Sequence, residues 1–169
     1  MQDSFGPHAS CPKADSSDVR YGGEADIVDR RATMREHHQM NEHERGFLAF
    51  LAEPTKRRIE TLLELGEKRR GDVRGMLHHA VRLDPRYCQH LMGSEAFSGP
   101  VEAALRKSGA PSTCYVLAAN RDLDGRQMPL REALGAIKGM GNGAFVSCIP
   151  GRLGFYEYED IKSSYLLSK

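Results

Sequence analysis

Apolar residues recur at helical spacing in the stretch that begins at Asn41. Asn41 and Glu44 have the spacing of a capping box, which predicts that a short helix begins here. Pro54 suits the first turn of a second helix, because its missing N–H is not needed there. The clearest amphipathic pattern predicts a third helix, whose apolar positions repeat every three or four residues: Val73, Met76, Leu77, Ala80 and Val81.

Further along the chain the pattern changes from helix to strand. The sequence predicts Asp84 as the cap of a short helix that reaches about Leu91, and it predicts that a further helix begins at Pro100. Residues 114–119 then form a continuous apolar run typical of a buried strand, and Pro129 precedes one more helical pattern. The C-terminal third is therefore predicted to mix strands with a helix.

Residues 144–158 predict a β-hairpin around Pro150-Gly151. Proline presets φ and glycine accepts a positive φ, so this dipeptide favours a turn. The predicted register places two apolar pairs on one face: Val146 with Phe155, and Cys148 with Leu153. The opposite face then carries the alternate side chains: Phe145, Ser147, Gly154 and Tyr156.

The predicted fold is α+β, with a helical part at residues 41–110 followed by a β-α-β-β unit at residues 111–169. Its small antiparallel sheet is expected to have three strands, with helices packed on one face. Both parts are expected to share one compact domain. Residues 1–40 hold too few apolar anchors to offset the entropy of ordering, so they are expected to form a disordered arm. Met34 offers an alternative start that would remove most of this arm.

The composition is typical of a water-soluble protein. Mean hydropathy is -0.53, 28% of the 169 residues are charged, and no apolar run approaches the roughly 20 residues of a bilayer-spanning helix. No membrane association is expected. The first residues lack the cationic start and apolar stretch of a secretory signal, and the four cysteines have no repeated spacing. A cytoplasmic location with reduced thiols is therefore predicted.

Residues 120–125 place oxygen-bearing side chains at alternate positions before a glycine, as the opening of a calcium loop does. The twelfth position, however, is Arg131 rather than a bidentate glutamate. We therefore favour a tight turn. If a cation binds, Asp122 and Asp124 are the first ligands to test, and no cofactor is expected.

Other reactive side chains are weakly organised. Neighbouring helix residues point about 100° apart, so His78 and His79 are not expected to face one ion, even with Cys88 and His90 nearby in sequence. Cys148 is the one candidate nucleophile with a defined setting, but its register points it into the core. The chain is therefore expected to be non-enzymatic. A third possibility, an enzyme of unrecognised type, would need a deep pocket that holds an ionisable group with a strongly shifted pKa near one of these residues: Asp122, Asp124, Glu132 or Cys148.

Basic residues are concentrated in the helical part. Residues 54–110 hold 11 lysines and arginines against 7 acidic residues, whereas residues 1–53 hold 6 against 10. Such a band could neutralise phosphates, so the alternative function is a nucleic-acid-associated protein that uses the basic helices of residues 54–86. Its contact candidates are arginines: Arg57, Arg58, Arg69, Arg70 and Arg74. Interleaved acidic residues would cancel part of this field through helical ion pairs.

The leading hypothesis is a small intracellular interaction or regulatory module that binds a partner protein through its C-terminal sheet. Its contact candidates are aromatic residues on the second face of the hairpin, because exposed aromatic patches mark interaction sites: Phe145, Tyr156 and Tyr158. The alternative is that helices cover this face as well. An open sheet edge could also take a partner strand or a second copy of the chain, which would give a homodimer.

Overall fold

The computed structural model describes residues 40–160 and 163–169. The predicted disordered arm at residues 1–40 lies outside the described residues except for Met40, and so does the alternative start at Met34. Within the described residues, no helix is both long and apolar enough to cross a bilayer.

The described chain contains five α-helices and six β-strands. The helices are α1 Glu42–Leu48, α2 Thr55–Glu64, α3 Arg70–His79, α4 Ser98–Lys107 and α5 Leu130–Ile137. The strands are β1 Cys88–Leu91, β2 Thr113–Ala118, β3 Arg126–Pro129, β4 Ala144–Ile149, β5 Leu153–Glu157 and β6 Ser164–Ser168. Short 3₁₀ turns lie at Gly66–Arg69, Pro85–Tyr87 and Gly93–Ala96.

The capping box that was predicted at the start of α1 is confirmed. Glu44 donates its backbone N–H to Asn41 Oδ1 at 2.9 Å, and Asn41 donates its own N–H to Glu44 Oε2 at 3.2 Å. Each carboxamide or carboxylate oxygen thus satisfies a backbone donor that the first helical turn leaves free.

All six strands belong to one antiparallel sheet, in the order β1-β6-β5-β4-β2-β3. The mixed α+β class is confirmed, but the prediction of a three-stranded sheet is wrong. The helix predicted from Asp84 to Leu91 is also wrong, because the chain forms a single 3₁₀ turn there and then continues as β1.

Helices cover both faces of the sheet, so the expectation that they pack on one face is wrong. On one face, α1, α2 and α3 enclose a core with these fully buried members: Phe47, Phe50, Ile59, Leu77, Phe145 and Tyr156. On the other face, α4 and α5 enclose a second core, centred on Val101, Leu105, Leu134, Val146 and Phe155. The central strands are apolar on both sides for this reason.

The hairpin forms as predicted over most of its length. Val146 pairs with Phe155 and Phe145 pairs with Tyr156, which is the predicted register. At the turn end a bulge shifts the register, so Leu153 pairs with Ile149 instead of Cys148. One extra residue on β4 accounts for this difference.

Candidate functional site

The aromatic residues predicted to contact a partner lie under the first helical layer. Phe145 and Tyr156 are fully buried, and the Tyr156 hydroxyl donates to the Leu77 carbonyl at 2.8 Å. Tyr158 is half-buried and donates to the Val81 carbonyl at 3.3 Å. The face that they share is therefore covered by helices, and a partner cannot reach the rings of Phe145 and Tyr156 in this fold.

Arg70, one of the arginines predicted to contact nucleic acid, lies in a buried ionic network. It donates to Asp124 through Nε at 2.7 Å and Nη2 at 3.0 Å, and it also donates to Glu44. Tyr115 donates its hydroxyl to the same Glu44 carboxylate at 2.8 Å. Burial acts to lower the pKa of Arg70, but its hydrogen bonds to the two carboxylates outweigh this and raise the pKa, so the guanidinium stays charged.

The remaining arginines of that set do not form one basic surface. Arg74 extends the buried network, since its Nη1 lies 3.5 Å from Asp124 Oδ2. Arg57 is exposed and pairs with Glu53 at 3.2 Å. Arg69 pairs with Asp72, a neighbour in sequence, and Arg58 is exposed. The charge of the basic helices is thus divided between the interior and separate local ion pairs.

The predicted turn at residues 120–125 is present. Asn120 Oδ1 accepts from the Asp122 N–H at 2.8 Å, and Gly125 has a φ of 79°, in the left-handed region that favours glycine. Asp122 is exposed, whereas Asp124 is held by Arg70. The Asp124 oxygens are therefore not free to join Asp122 around a cation.

The three described cysteines are free thiols. Burial raises the pKa of Cys114 and of Cys148 to about 12, and the pKa of Cys88 to about 11. Each thiol is therefore protonated at neutral pH. A protonated thiol behaves as a small apolar side chain, whereas a nucleophilic cysteine needs the thiolate form.

A groove lies between β1, residues 92–98 and the end of α5. Its volume is about 640 Å³, and its lining combines apolar and polar residues: His90, Met92, Gly93, Ala96, Phe97, Ser98, Lys138 and Gly139. This volume lies within the range of ligand-binding clefts in proteins. The groove is thus large enough to accept several side chains.

Two large apolar side chains line the groove and face water. Met92 is 67% exposed and Phe97 is 66% exposed. Among the described residues, only Leu65 and Met140 are other large apolar side chains that count as exposed. Half of this exposed apolar set therefore lies at one groove, and such concentration marks interaction surfaces.

The strand β1 forms the border of the groove and is a terminal strand of the sheet. It pairs with β6 on one side, from Cys88 with Leu167 to Leu91 with Ser164. No other strand of the described chain pairs with its outer side. An unpaired strand edge presents backbone donors and acceptors that another strand can satisfy.

A polar cluster forms around Lys138, which also lines the groove. Lys138, at the end of α5, places Nζ 2.8 Å from Glu157 Oε2 and 2.8 Å from Ser164 Oγ. Glu157 also accepts from the Gly139 N–H at 2.8 Å, so both of its oxygens have a neighbour of opposite polarity. These contacts hold the end of α5 against β5 and β6.

The groove was not predicted from the sequence, although a signal for it exists. Met92 and Phe97 are large apolar residues within a glycine- and serine-containing stretch that has neither helical nor strand periodicity. Apolar residues outside any amphipathic pattern have no element to bury them. Their shared position at one groove depends on the packing of α4 against the sheet, which sequence spacing does not encode.

Neither a family model, nor a curated protein, nor a solved structure matches this chain. Its function is therefore inferred from the geometry of the groove and of the side-chain clusters.

Metal-ligand types converge at one other place in the described chain. His78, His79 and Glu159 each offer a ligand atom, and these atoms lie within 4.8 Å of one another. The expectation that His78 and His79 point too far apart is wrong, because their ring centroids lie 3.8 Å apart. Both residues lie in the last turn of α3, so their side-chain torsions, and not a change in backbone spacing, bring the two rings together.

Proposed function

We propose that this protein binds an extended peptide segment of a partner protein in the groove beside β1. The observation that carries the proposal is the exposure of Met92 and Phe97 at a groove that adjoins an unpaired strand edge. Binding is favoured when a partner covers apolar area that is exposed to water in the free protein.

An extended peptide satisfies both features of this surface at once. Its backbone can pair with the outer edge of β1, and hydrogen bonds of that kind supply affinity in strand-addition complexes. Every second side chain of the added strand would lie on the same sheet face as Leu91, which packs with α4 in the second core. Those side chains would meet Phe97 and Met92, so the expected ligand has apolar residues at alternate positions.

Binding of a partner protein is also the function that the sequence favours, but the proposed contact surface is a different one. The C-terminal strand β6 still holds β1 in the sheet, but the contact residues are Met92 and Phe97 instead of the covered hairpin aromatics. The proposed occupant of the open sheet edge is a strand from a different protein and not a second copy of this chain.

Truncation of Phe97 tests the groove. We expect Phe97→Ser to weaken binding of peptides selected from a random displayed library by about tenfold or more, because a buried aromatic anchor contributes strongly to interfaces. Affinity is measured by fluorescence anisotropy with labelled peptides on the full chain. Because Phe97 is exposed, the substitution should leave the fold intact, and its circular dichroism melt verifies this.

Leu65→Ser is the matched control for that measurement. Leu65 is 57% exposed, lies after α2 and does not line the groove, so its truncation should leave peptide affinity unchanged. Equal losses in the two variants, or no loss with Phe97→Ser, would contradict the proposal. A wild-type dimer that Phe97→Ser dissociates would instead identify a second copy of the chain as the occupant and would also overturn it.

The nucleic-acid alternative stays a prediction. Its required signature is a steep loss of binding with added salt, because released counterions dominate contacts to phosphates. The engagement of Arg70 and Arg74 with Asp124 leaves fewer free cations for such contacts.

A further inference from the structure

We propose that His78, His79 and Glu159 form a binding site for a divalent transition-metal ion, with zinc as the chemistry that fits best. Two imidazoles and one carboxylate are a ligand set that zinc accepts, with water in the fourth position. Magnesium and calcium prefer oxygen ligands alone, so they fit this set poorly. The site lies at the end of α3, on the opposite face of the sheet from the groove, and does not depend on the peptide-binding proposal.

The distances suit a site that closes around an ion. The three ligand atoms lie within 4.8 Å of one another, and ligands bound at about 2.0–2.2 Å around a tetrahedral zinc ion lie about 3.4 Å apart, so shifts of roughly an ångström would suit them to one ion. His79 is exposed and Glu159 is half-buried, so both side chains can rotate toward an ion. Without the ion, His79 Nδ1 and Glu159 Oε2 lie 2.6 Å apart as a hydrogen-bonded pair.

His78 supplies a second, independent observation. Its Nδ1 atom is buried, and no hydrogen-bond partner for it exists among the described residues. A buried polar atom without a partner is costly, and most such atoms in proteins are satisfied. A cation that binds His78 through Nδ1, together with His79 and Glu159, would supply the interaction that this atom lacks.

The two segments that carry the ligands are fixed before any ion binds. Tyr156 donates to Leu77, and a Cβ atom on Gly143 would overlap the Leu77 carbonyl oxygen, so the backbone just before β4 approaches α3 closely. Glu159 lies in the connection after β5, where Tyr158 donates its N–H to the Ser163 carbonyl at 2.9 Å. A bound ion would therefore join the end of α3 to the β5–β6 connection.

Zinc titration of the full chain tests the site. We expect calorimetry to show one zinc ion in wild type that is bound at least about tenfold more weakly in His79→Ala and in Glu159→Gln. Co²⁺ should give tetrahedral d–d absorption with wild type that both variants lose. His90→Ala is the matched control, because His90 is exposed on β1 away from the cluster and its loss should leave zinc binding unchanged.

The full chain also carries His8, His37, His38 and Cys11, so the difference between wild type and variants is the decisive quantity. Zinc should also raise the melting temperature of wild type and not that of Glu159→Gln, because an ion that binds the folded state stabilises it. Equal zinc affinity and equal stabilisation in wild type, His79→Ala and Glu159→Gln would overturn the proposal and leave a plain His79–Glu159 ion pair.

Discussion

Arg70 joins the first helical layer to the β2–β3 turn through a buried ionic network. Its guanidinium lies between Glu44 of α1 and Asp124 of the β2–β3 turn, and both carboxylates are buried with it. Taking ionised groups out of water is costly, and only their mutual pairing offsets that cost. The network therefore favours one arrangement of α1, α3 and the β2–β3 turn.

We predict that Arg70→Ala lowers the free energy of unfolding by about 3–5 kcal/mol, because it leaves two buried carboxylates with Arg74 as the nearest cation. Urea unfolding at neutral pH measures this change. Arg69→Ala is the control, since Arg69 is half-exposed and pairs with Asp72 on the surface. That variant should change the free energy by no more than about 1 kcal/mol. Similar costs for the two would show that the buried network contributes nothing special.

At the residue scale, the sequence predicts local pairs and misses distant ones. The Asn41–Glu44 capping box was predictable because both partners lie within one helical turn. The pairing of Arg70 with Asp124 spans 54 positions and depends on the packing of α3 on the sheet. The basic charge of residues 54–110 therefore predicts Arg70 as a nucleic-acid contact, and the turn motif predicts the position of Asp124 without its distant partner.

Among the elements, α1 packs directly against the turn of the β4–β5 hairpin. A Cβ atom placed on Gly46 would lie 2.3 Å from the Gly151 nitrogen and 2.9 Å from the Pro150 Cα. Both are backbone atoms of the hairpin turn, so they cannot move aside as the tip of a side chain could. Glycine at this position is what lets the helix rest on the turn.

We expect Gly46→Ala to destabilise the protein by about 2–3 kcal/mol, as overpacking against fixed backbone does. Gly75→Ala is the matched control, because Gly75 lies in the middle of α3 with open space around its Cα. Alanine there should stabilise by about 0.5–1 kcal/mol, since glycine costs more backbone entropy in a helix. Thermal unfolding of the two variants should thus shift in opposite directions, and a shift in the same direction would refute the packing argument.

Element prediction succeeded where periodicity is long and strong. The hairpin of β4 and β5 and the helix α3 follow clear apolar patterns. The missed strands are short, and β1 and β3 lie at the sheet edges, where one side of the strand needs no apolar residues. A four-residue edge strand such as β3 carries too little alternation to distinguish it from a loop.

At the scale of the whole molecule, the sheet separates two cores that different helices cover. The continuous burial of β2 and β4 reflects helices on both faces, and such a run in the sequence indicates a strand buried on both sides. The groove lies beside β1, whose outer edge has no partner strand among the described residues. Their coincidence is the basis for proposing a strand-like partner.

Amide hydrogen exchange with and without a selected peptide tests that proposal most directly. We predict slower exchange in β1, residues 88–91, at saturating peptide, because its outer edge gains hydrogen-bond partners. The opposite edge strand, β3 at residues 126–129, serves as the internal reference and should stay unchanged. Protection confined to β3, or binding without any protection in β1, would contradict the assignment of the groove as a strand-binding site.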